Sequence, residues 1–257
     1  MRNLKNSTLT GFLTALLGLA AAGTSLAAPI FTDINLGTSV APPGTGVFNP
    51  TTHTITVTGG GSIISGPDTG NFYYTPVTGN FTATARITGK LAGDGNALVG
   101  IMVRNALTQN AADAESDILP AANATFPLSR ESDFAGVSFV GSELTLPTLP
   151  TWVRLVVAGT SVTEEVSTNG TAWTTVGSET VTLGSTNYVG LAVGDQLDTH
   201  DASFTFDDFT ITSASLNYNS SSDPGPIVPE PGLLGLLGVG LFAALWLPRR
   251  GSRNLAA

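Results

Sequence analysis

The sequence predicts an all-β protein: a two-sheet antiparallel jelly-roll sandwich between two hydrophobic ends that lie outside the fold. Three observations carry this. Short alternating apolar and polar runs recur along the middle of the 257-residue chain, with no sustained helical period. These runs are rich in β-branched and aromatic residues, and Gly, Pro, Asn or Asp clusters separate them. Asn169-Gly170, between two such runs, signals a hairpin, because a tight primed turn needs positive φ at both central residues.

The pattern predicts strands at 52–58, 80–88, 98–104, 134–140, 152–158, 162–167, 173–176, 188–193 and 203–212. Within 80–88, Phe81, Ala83, Ala85 and Ile87 share one face, and Thr82, Thr84, Arg86 and Thr88 the other. Nine or so short strands with brief turns imply two packed antiparallel sheets. Residues 106–116 suit a short helix or a long loop, with the loop preferred. Residues 33–50, rich in Gly, Pro and Thr, are expected to be less ordered. Residues 217–226 have almost nothing to bury and predict a flexible spacer. The expected organisation is a signal peptide at 1–27, a sandwich domain at 28–213, a linker at 214–227 and a sorting segment at 228–257.

The two ends read as addresses. Arg2 and Lys5 precede an apolar stretch at 11–22, and Ser25-Leu26-Ala27 offers the small residues a signal peptidase requires, which places cleavage between Ala27 and Ala28. At the other end stand Val228, Pro229, Glu230 and Pro231, then an apolar run over 232–247, then Arg249, Arg250 and Arg253. The prolines fix φ and remove donors, so that segment is extended. The run is shorter than the ~20 residues of a comfortable membrane span, and the arginines suit a cytoplasmic edge. This four-part tail resembles the PEP-CTERM sorting signal of mostly Gram-negative, envelope-forming bacteria. The resemblance implies a transient hydrophobic transmembrane helix at 232–247 and recognition by an exosortase-type protease. It also implies passage from the inner membrane to the envelope, outer surface or biofilm matrix.

Composition narrows the chemistry. No cysteine is present, which excludes disulfides, thiolate metal sites and thiol nucleophiles. Of 10 basic residues, only Arg86, Lys90, Arg104, Arg130 and Arg154 lie between the two ends, against 18 of the 19 acids. A surface so negative repels phosphate backbones and anionic lipids, so nucleic acid is excluded as a partner. Neutral sugars, cations and basic polymers are compatible with it.

Between His53 and Thr212 the chain resembles the concanavalin A-like lectin/glucanase sandwiches, in particular bacterial DUF1349 or laminin-G-like domains. The resemblance rests on Gly59-Gly60-Gly61, Phe72-Tyr73-Tyr74, Gly79-Asn80-Phe81, Gly100-Ile101-Met102-Val103-Arg104, Trp152-Val153-Arg154-Leu155, Asn169-Gly170-Thr171-Ala172-Trp173 and Phe204-Thr205-Phe206-Asp207-Asp208-Phe209, in that order. The family usually has Asp at the positions of Asn80 and Asn169, where Asn supports the same turns. The resemblance implies a jelly-roll fold and, at most, sugar binding.

Glycosidases of such folds need two carboxyls about 5 to 10 Å apart. Glu164-Glu165 and Asp207-Asp208 fail, because adjacent strand residues face opposite sides. Glu131 and Asp133 have i, i+2 spacing but sit in an expected loop. No catalytic residue is therefore expected. His53 and His200 are isolated. Asp195, Asp198 and Asp201 form an acidic loop of hard oxygens that suits calcium, without EF-hand spacing, so no cofactor is expected beyond this candidate. Tyr73, Arg104 and Trp173 are the candidate ligand-binding residues. Arg104 is expected either to pair with an acid or to line a binding face. The chain reads as a non-catalytic module contacting polysaccharide, with an envelope glycan hydrolase or a purely structural surface protein as alternatives.

Overall fold

The computed structural model describes residues 29–38, 43–63, 67–130, 135–136, 138–141, 144–146, 148–196 and 200–223. The signal peptide, the sorting tail with its apolar run, Glu131, Asp133 and Asp198 lie outside these residues.

The described strands are β1 (Thr32–Asn35), β2 (Thr45–Asn49), β3 (Thr54–Gly60), β4 (Asn71–Thr78), β5 (Phe81–Ala92), β6 (Leu98–Arg104), β7 (Asp113–Leu119), β8 (Ala124–Arg130), β9 (Ser138–Phe139), β10 (Thr151–Ala158), β11 (Ser161–Ser167), β12 (Thr174–Thr180), β13 (Thr186–Gly194), β14 (Asp201–Ser213) and β15 (Asn217–Asn219). They form two antiparallel sheets. The first runs β1-β4-β13-β6-β7-β8-β9, and the second β12-β11-β10-β5-β14-β3-β2, with β15 on β14. This is the predicted all-β sandwich.

Alternation explains the packing. On β5, Phe81, Ala83, Ala85 and Ile87 face the inter-sheet core, while Thr82, Thr84, Arg86 and Thr88 face outward. Across the core, Val99, Ile101 and Val103 of β6 and Val189, Leu191 and Val193 of β13 meet Val153, Leu155, Phe204 and Phe206 of the second sheet. The other face of β6 is also buried. Leu98 and Met102 pack there with Leu36, Ile63, Phe72 and Ala192 in a second apolar cluster. Connecting segments therefore cover part of the outer face of the first sheet.

Three expectations change. Residues 106–116 are not all loop, because β7 begins at Asp113 and pairs with both β6 and β8. From Asp113 to Asp117 its residues are charged or small, so the strand character there comes from its neighbours rather than from propensity. Residues 33–50 contain β1 and β2, where Asn35 Oδ1 accepts from the N–H of Gly44 at 2.7 Å. The expected spacer is structured as far as Asp223. Tyr218 of β15 is buried in the core, and Ser220 Oγ accepts the N–H of Phe209 at 2.9 Å.

The Asn169-Gly170 connection is longer than a two-residue turn. It spans the six residues between Ser167 and Thr174, and of the predicted pair only Gly170 has positive φ, at 72°. Asn169 instead uses its side chain: Oδ1 accepts the N–H groups of Thr171 and Ala172, both at 2.9 Å.

Candidate functional site

The outer face of the first sheet carries a row of acids. Asp113, Glu115 and Asp117 alternate along β7, so all three project to one side. Register aligns them with Arg104, Met102 and Gly100 of β6. Gly100 is needed here. A Cβ at that position would stand 2.2 Å from Asp117 Oδ1, so the missing side chain makes the space for this carboxylate. Each acid is 1 % exposed.

The row divides into two parts. Asp113 is neutralised by Arg104, which also binds Asp68; the distances are 3.1 and 2.6 Å. The same guanidinium donates to the carbonyls of Ala106 and Thr108. Among the described residues, no cation pairs with Glu115 or Asp117. Glu115 Oε2 and both Asp117 oxygens lack a hydrogen-bond partner of normal geometry. Burial and then the Asp117 charge push Glu115 well up, while burial holds Asp117 at about 7, tempered by a proton on Glu115. The pair thus behaves as two carboxyls sharing protons. Sequence reasoning missed this row. Its signal was the acid-small alternation Asp113-Ala114-Glu115-Ser116-Asp117, within a stretch expected to be loop.

Glu164 and Glu165 do face opposite sides. Glu164 lies between the sheets, where burial and then Glu179 push its carboxyl well up. Glu165 faces outward and binds Arg154.

The outer face of the second sheet carries two half-buried tryptophans, Trp152 and Trp173. The Arg154 guanidinium stacks 3.9 Å from the Trp173 ring centroid, and Arg86 lies 5.7 Å from that of Trp152. Arg154 Nε donates to Glu165 Oε2 at 2.6 Å, and Arg86 forks onto the Asp207 carboxylate. Each ring is therefore backed by an arginine that an acid holds in place. Exposed Thr174 and Thr175 follow Trp173, and Thr84 pairs with Arg154 across β5 and β10.

The predicted ligand-binding residues do not converge. Trp173 is on this face. Tyr73 is in the core, stacked on Phe31 with centroids 5.2 Å apart, because β4 turns it inward. Arg104 is fully buried in its two ion pairs, on the other sheet. Tyr74 takes the opposite side of β4, stacked on Phe72 and edge-on to Tyr188. His53 sits in a turn with φ of 55°, its Nδ1 3.1 Å from the Ser220 carbonyl. His200 and Asp201 border a notch at the sandwich rim, with Asp195 buried beside it.

No protein-family model and no curated protein sequence matches the chain. Solved structures do resemble it. A functionally unknown protein from Saccharomyces cerevisiae is 17% identical, with a TM-score of 0.51 over 66% of this chain and 96% of that one. The GH43 protein BlXynB from Bacillus licheniformis is 12% identical, with a TM-score of 0.48 over 60% of this chain and 31% of that one. The carbohydrate-binding module CBM66 from Bacillus subtilis is 17% identical, with a TM-score of 0.45 over 70% and 97%. The likeness to the yeast protein is one of fold. Among the described residues, no helix is long and apolar enough to cross a membrane.

Proposed function

We propose that this chain is an exported, non-catalytic module that contacts extracellular polysaccharide through the outer face of its second sheet. The observation that carries this is the Trp173 indole, backed by Arg154 and Glu165 beside exposed threonines. Sugar rings are recognised by an aromatic face together with a few fixed polar groups. Strong negative charge favours a neutral or cation-bearing polymer over a phosphate-rich one. The leader and tail support the route. Signal peptidase cuts before Ala28, an exosortase-type protease handles the segment from Val228, and the domain reaches the envelope or matrix.

The test is a glycan array with the exported protein. Saturable binding is expected, weakened about tenfold, or ~1.4 kcal/mol, in Trp173→Ala and Arg154→Ala at unchanged circular dichroism. Binding to no glycan, or undiminished binding by Trp173→Ala, would refute the assignment. Mass spectrometry of the exported protein should find Ala28 at its N-terminus and no apolar run at its C-terminus.

A hydrolase is the second reading, and the acid row favours it. Alternate strand residues lie about 7 Å apart, a separation that suits paired catalytic carboxyls. Against it, Glu115 and Asp117 are too buried to touch a glycosidic bond. Release of reducing ends that Asp117→Asn abolishes would establish the hydrolase and displace the binding module.

A further inference from the structure

Beside Trp173 the outer face of the second sheet carries a grid of threonines. On β5, Thr82 and Thr84 point outward, and on β14 Thr210 and Thr212 do the same, because Phe81, Ala83 and Ile211 fill the core. Register sets Thr210 opposite Thr84 and Thr212 opposite Thr82. Both rows run on into β10, where Thr84 faces Arg154 and Thr82 faces Val156. Neighbouring strands lie about 4.8 Å apart, and alternate residues of one strand about 7 Å. The four side chains therefore form a rectangular array that begins next to the Arg154–Trp173 stack. Thr82, Thr84 and Thr210 are half-buried, and Thr212 is exposed.

The hydroxyls of this grid are uncommitted. Elsewhere on the same face Thr58 meets Ser203, and Thr88 donates to Thr205. Among the described residues, Thr82, Thr84, Thr210 and Thr212 make no side-chain hydrogen bond. Branching at Cβ restricts χ1, so fixing these groups against a ligand loses little entropy. Each hydroxyl can both donate and accept, as a sugar hydroxyl does. The grid is also free of unpaired charge. The arginines that border it, Arg86 and Arg154, are neutralised by Asp207 and Glu165. A neutral polar ligand can therefore settle there without desolvating an ion.

We infer that the glycan taken by this face is a neutral, unbranched polysaccharide in an extended ribbon, as β-1,4 linkage gives, laid across the strands. One sugar stacks on Trp173, the next lies over Thr82 and Thr84, and the third over Thr210 and Thr212. This rests on the polysaccharide-contacting reading of Trp173 given above. The strand spacing is close to the length of one sugar in such a ribbon, so successive sugars meet successive strands. A coiled or branched chain leaves the sheet after its first sugar. A uronate chain brings carboxylates onto a strongly acidic domain whose bordering arginines are already paired.

The test is calorimetry of the exported protein with cello-, manno- and xylo-oligosaccharides of two to six sugars. Laminari-oligosaccharides serve as the coiled counterpart and alginate oligosaccharides as the charged one. Affinity for at least one β-1,4 series should rise about tenfold from two sugars to four and then level off, since each added sugar gains hydrogen bonds. Thr84→Val combined with Thr210→Val keeps the branched shape and the strand propensity, and leaves no protein group without a partner. It should weaken tetrasaccharide binding about tenfold and flatten the dependence on length. Thr82→Val with Thr212→Val is the second pair, used where the first does not fold. Affinity independent of length, tighter binding of laminari- or alginate oligosaccharides, or a length dependence unchanged in the valine pairs overturns this inference and leaves the polysaccharide reading standing. So does a protein that binds other glycans but no β-1,4 series. Binding to no glycan, or binding indifferent to Trp173→Ala, overturns that reading and this inference with it.

Discussion

The Arg154 guanidinium lies over the Trp173 indole at 3.9 Å and places two nitrogens on one oxygen of Glu165, each at 2.6 Å. The three side chains come from β10, the loop after β11, and β11. They staple that loop to the sheet. A partly exposed cation–π contact contributes about 0.5–1 kcal/mol and an exposed ion pair about 0.2–1 kcal/mol. Arg154→Ala should therefore cost roughly 1–2 kcal/mol, a fall in Tm of about 2–8 °C. A double-mutant cycle with Trp173→Ala should return a coupling of about 0.5–1 kcal/mol. A coupling near zero would mean the contact does not orient the ring.

Arg104 has the opposite character. It is wholly buried between Asp68 and Asp113. Removing one member of such a group strands the others, so Arg104→Ala should lose about 3–5 kcal/mol in urea unfolding. Most of that is the cost of orphaned carboxylates, so Asp68→Asn combined with Arg104→Met should recover part of it. A loss below about 1 kcal/mol for Arg104→Ala would show that the ion pairs are solvated.

These two arginines show how far the sequence could be read. Period-two alternation was enough to find β5, β6, β10 and β11, and to assign the faces of β5, whose inner face is uniformly apolar. The same rule separated Glu164 from Glu165. It failed on β7, whose outward row is Asp113, Glu115 and Asp117. An apolar-in, polar-out rule cannot recognise a strand whose polar face is buried under other segments. For Arg104 the sequence left two roles open, and only the approach of Asp68 from a distant loop chooses between them. Alternation puts Tyr73 and Tyr74 on opposite faces, but which of them faces inward depends on the register with β13. The rim notch joins Gly93 and Asp94 to Asp195 across about a hundred positions, a proximity that spacing alone does not encode.

The acid row makes a pH prediction. Burial holds Asp117 up at about 7 and Glu115 well above its ordinary value, with Asp113, Asp68 and Arg104 alongside. Glu164, raised by burial and by Glu179 on the neighbouring β12, acts in the same direction. All three bind protons more tightly folded than unfolded. Their contribution is complete below the unfolded values near 4 and is lost as pH rises to and through 7. Tm should therefore rise as pH falls from 8 to 5, and Asp117→Asn should flatten the slope. A Tm that falls steadily over that range would show these carboxyls to be ionised in the folded state.

Where the domain ends can be measured. Tyr218 packs edge-on against Phe209 with centroids 5.9 Å apart, and Phe31 lies 4.7 Å from Tyr218. Ser220 closes the β14 bulge by accepting the Phe209 N–H, and its carbonyl meets His53. Residues 217–223 therefore finish the core rather than lead away from it. Truncation after Asp223 should leave thermal unfolding unchanged. Truncation after Leu216 exposes the Phe31, Tyr73 and Phe209 rings and orphans a buried N–H. Losing one large aromatic costs about 3–5 kcal/mol and an unsatisfied donor about 1–3 kcal/mol. The shorter chain should melt at least 10 °C lower, at roughly 2–4 °C per kcal/mol for a domain of this size. Equal melting of the two truncations would restore residues 217–223 to the role of a spacer.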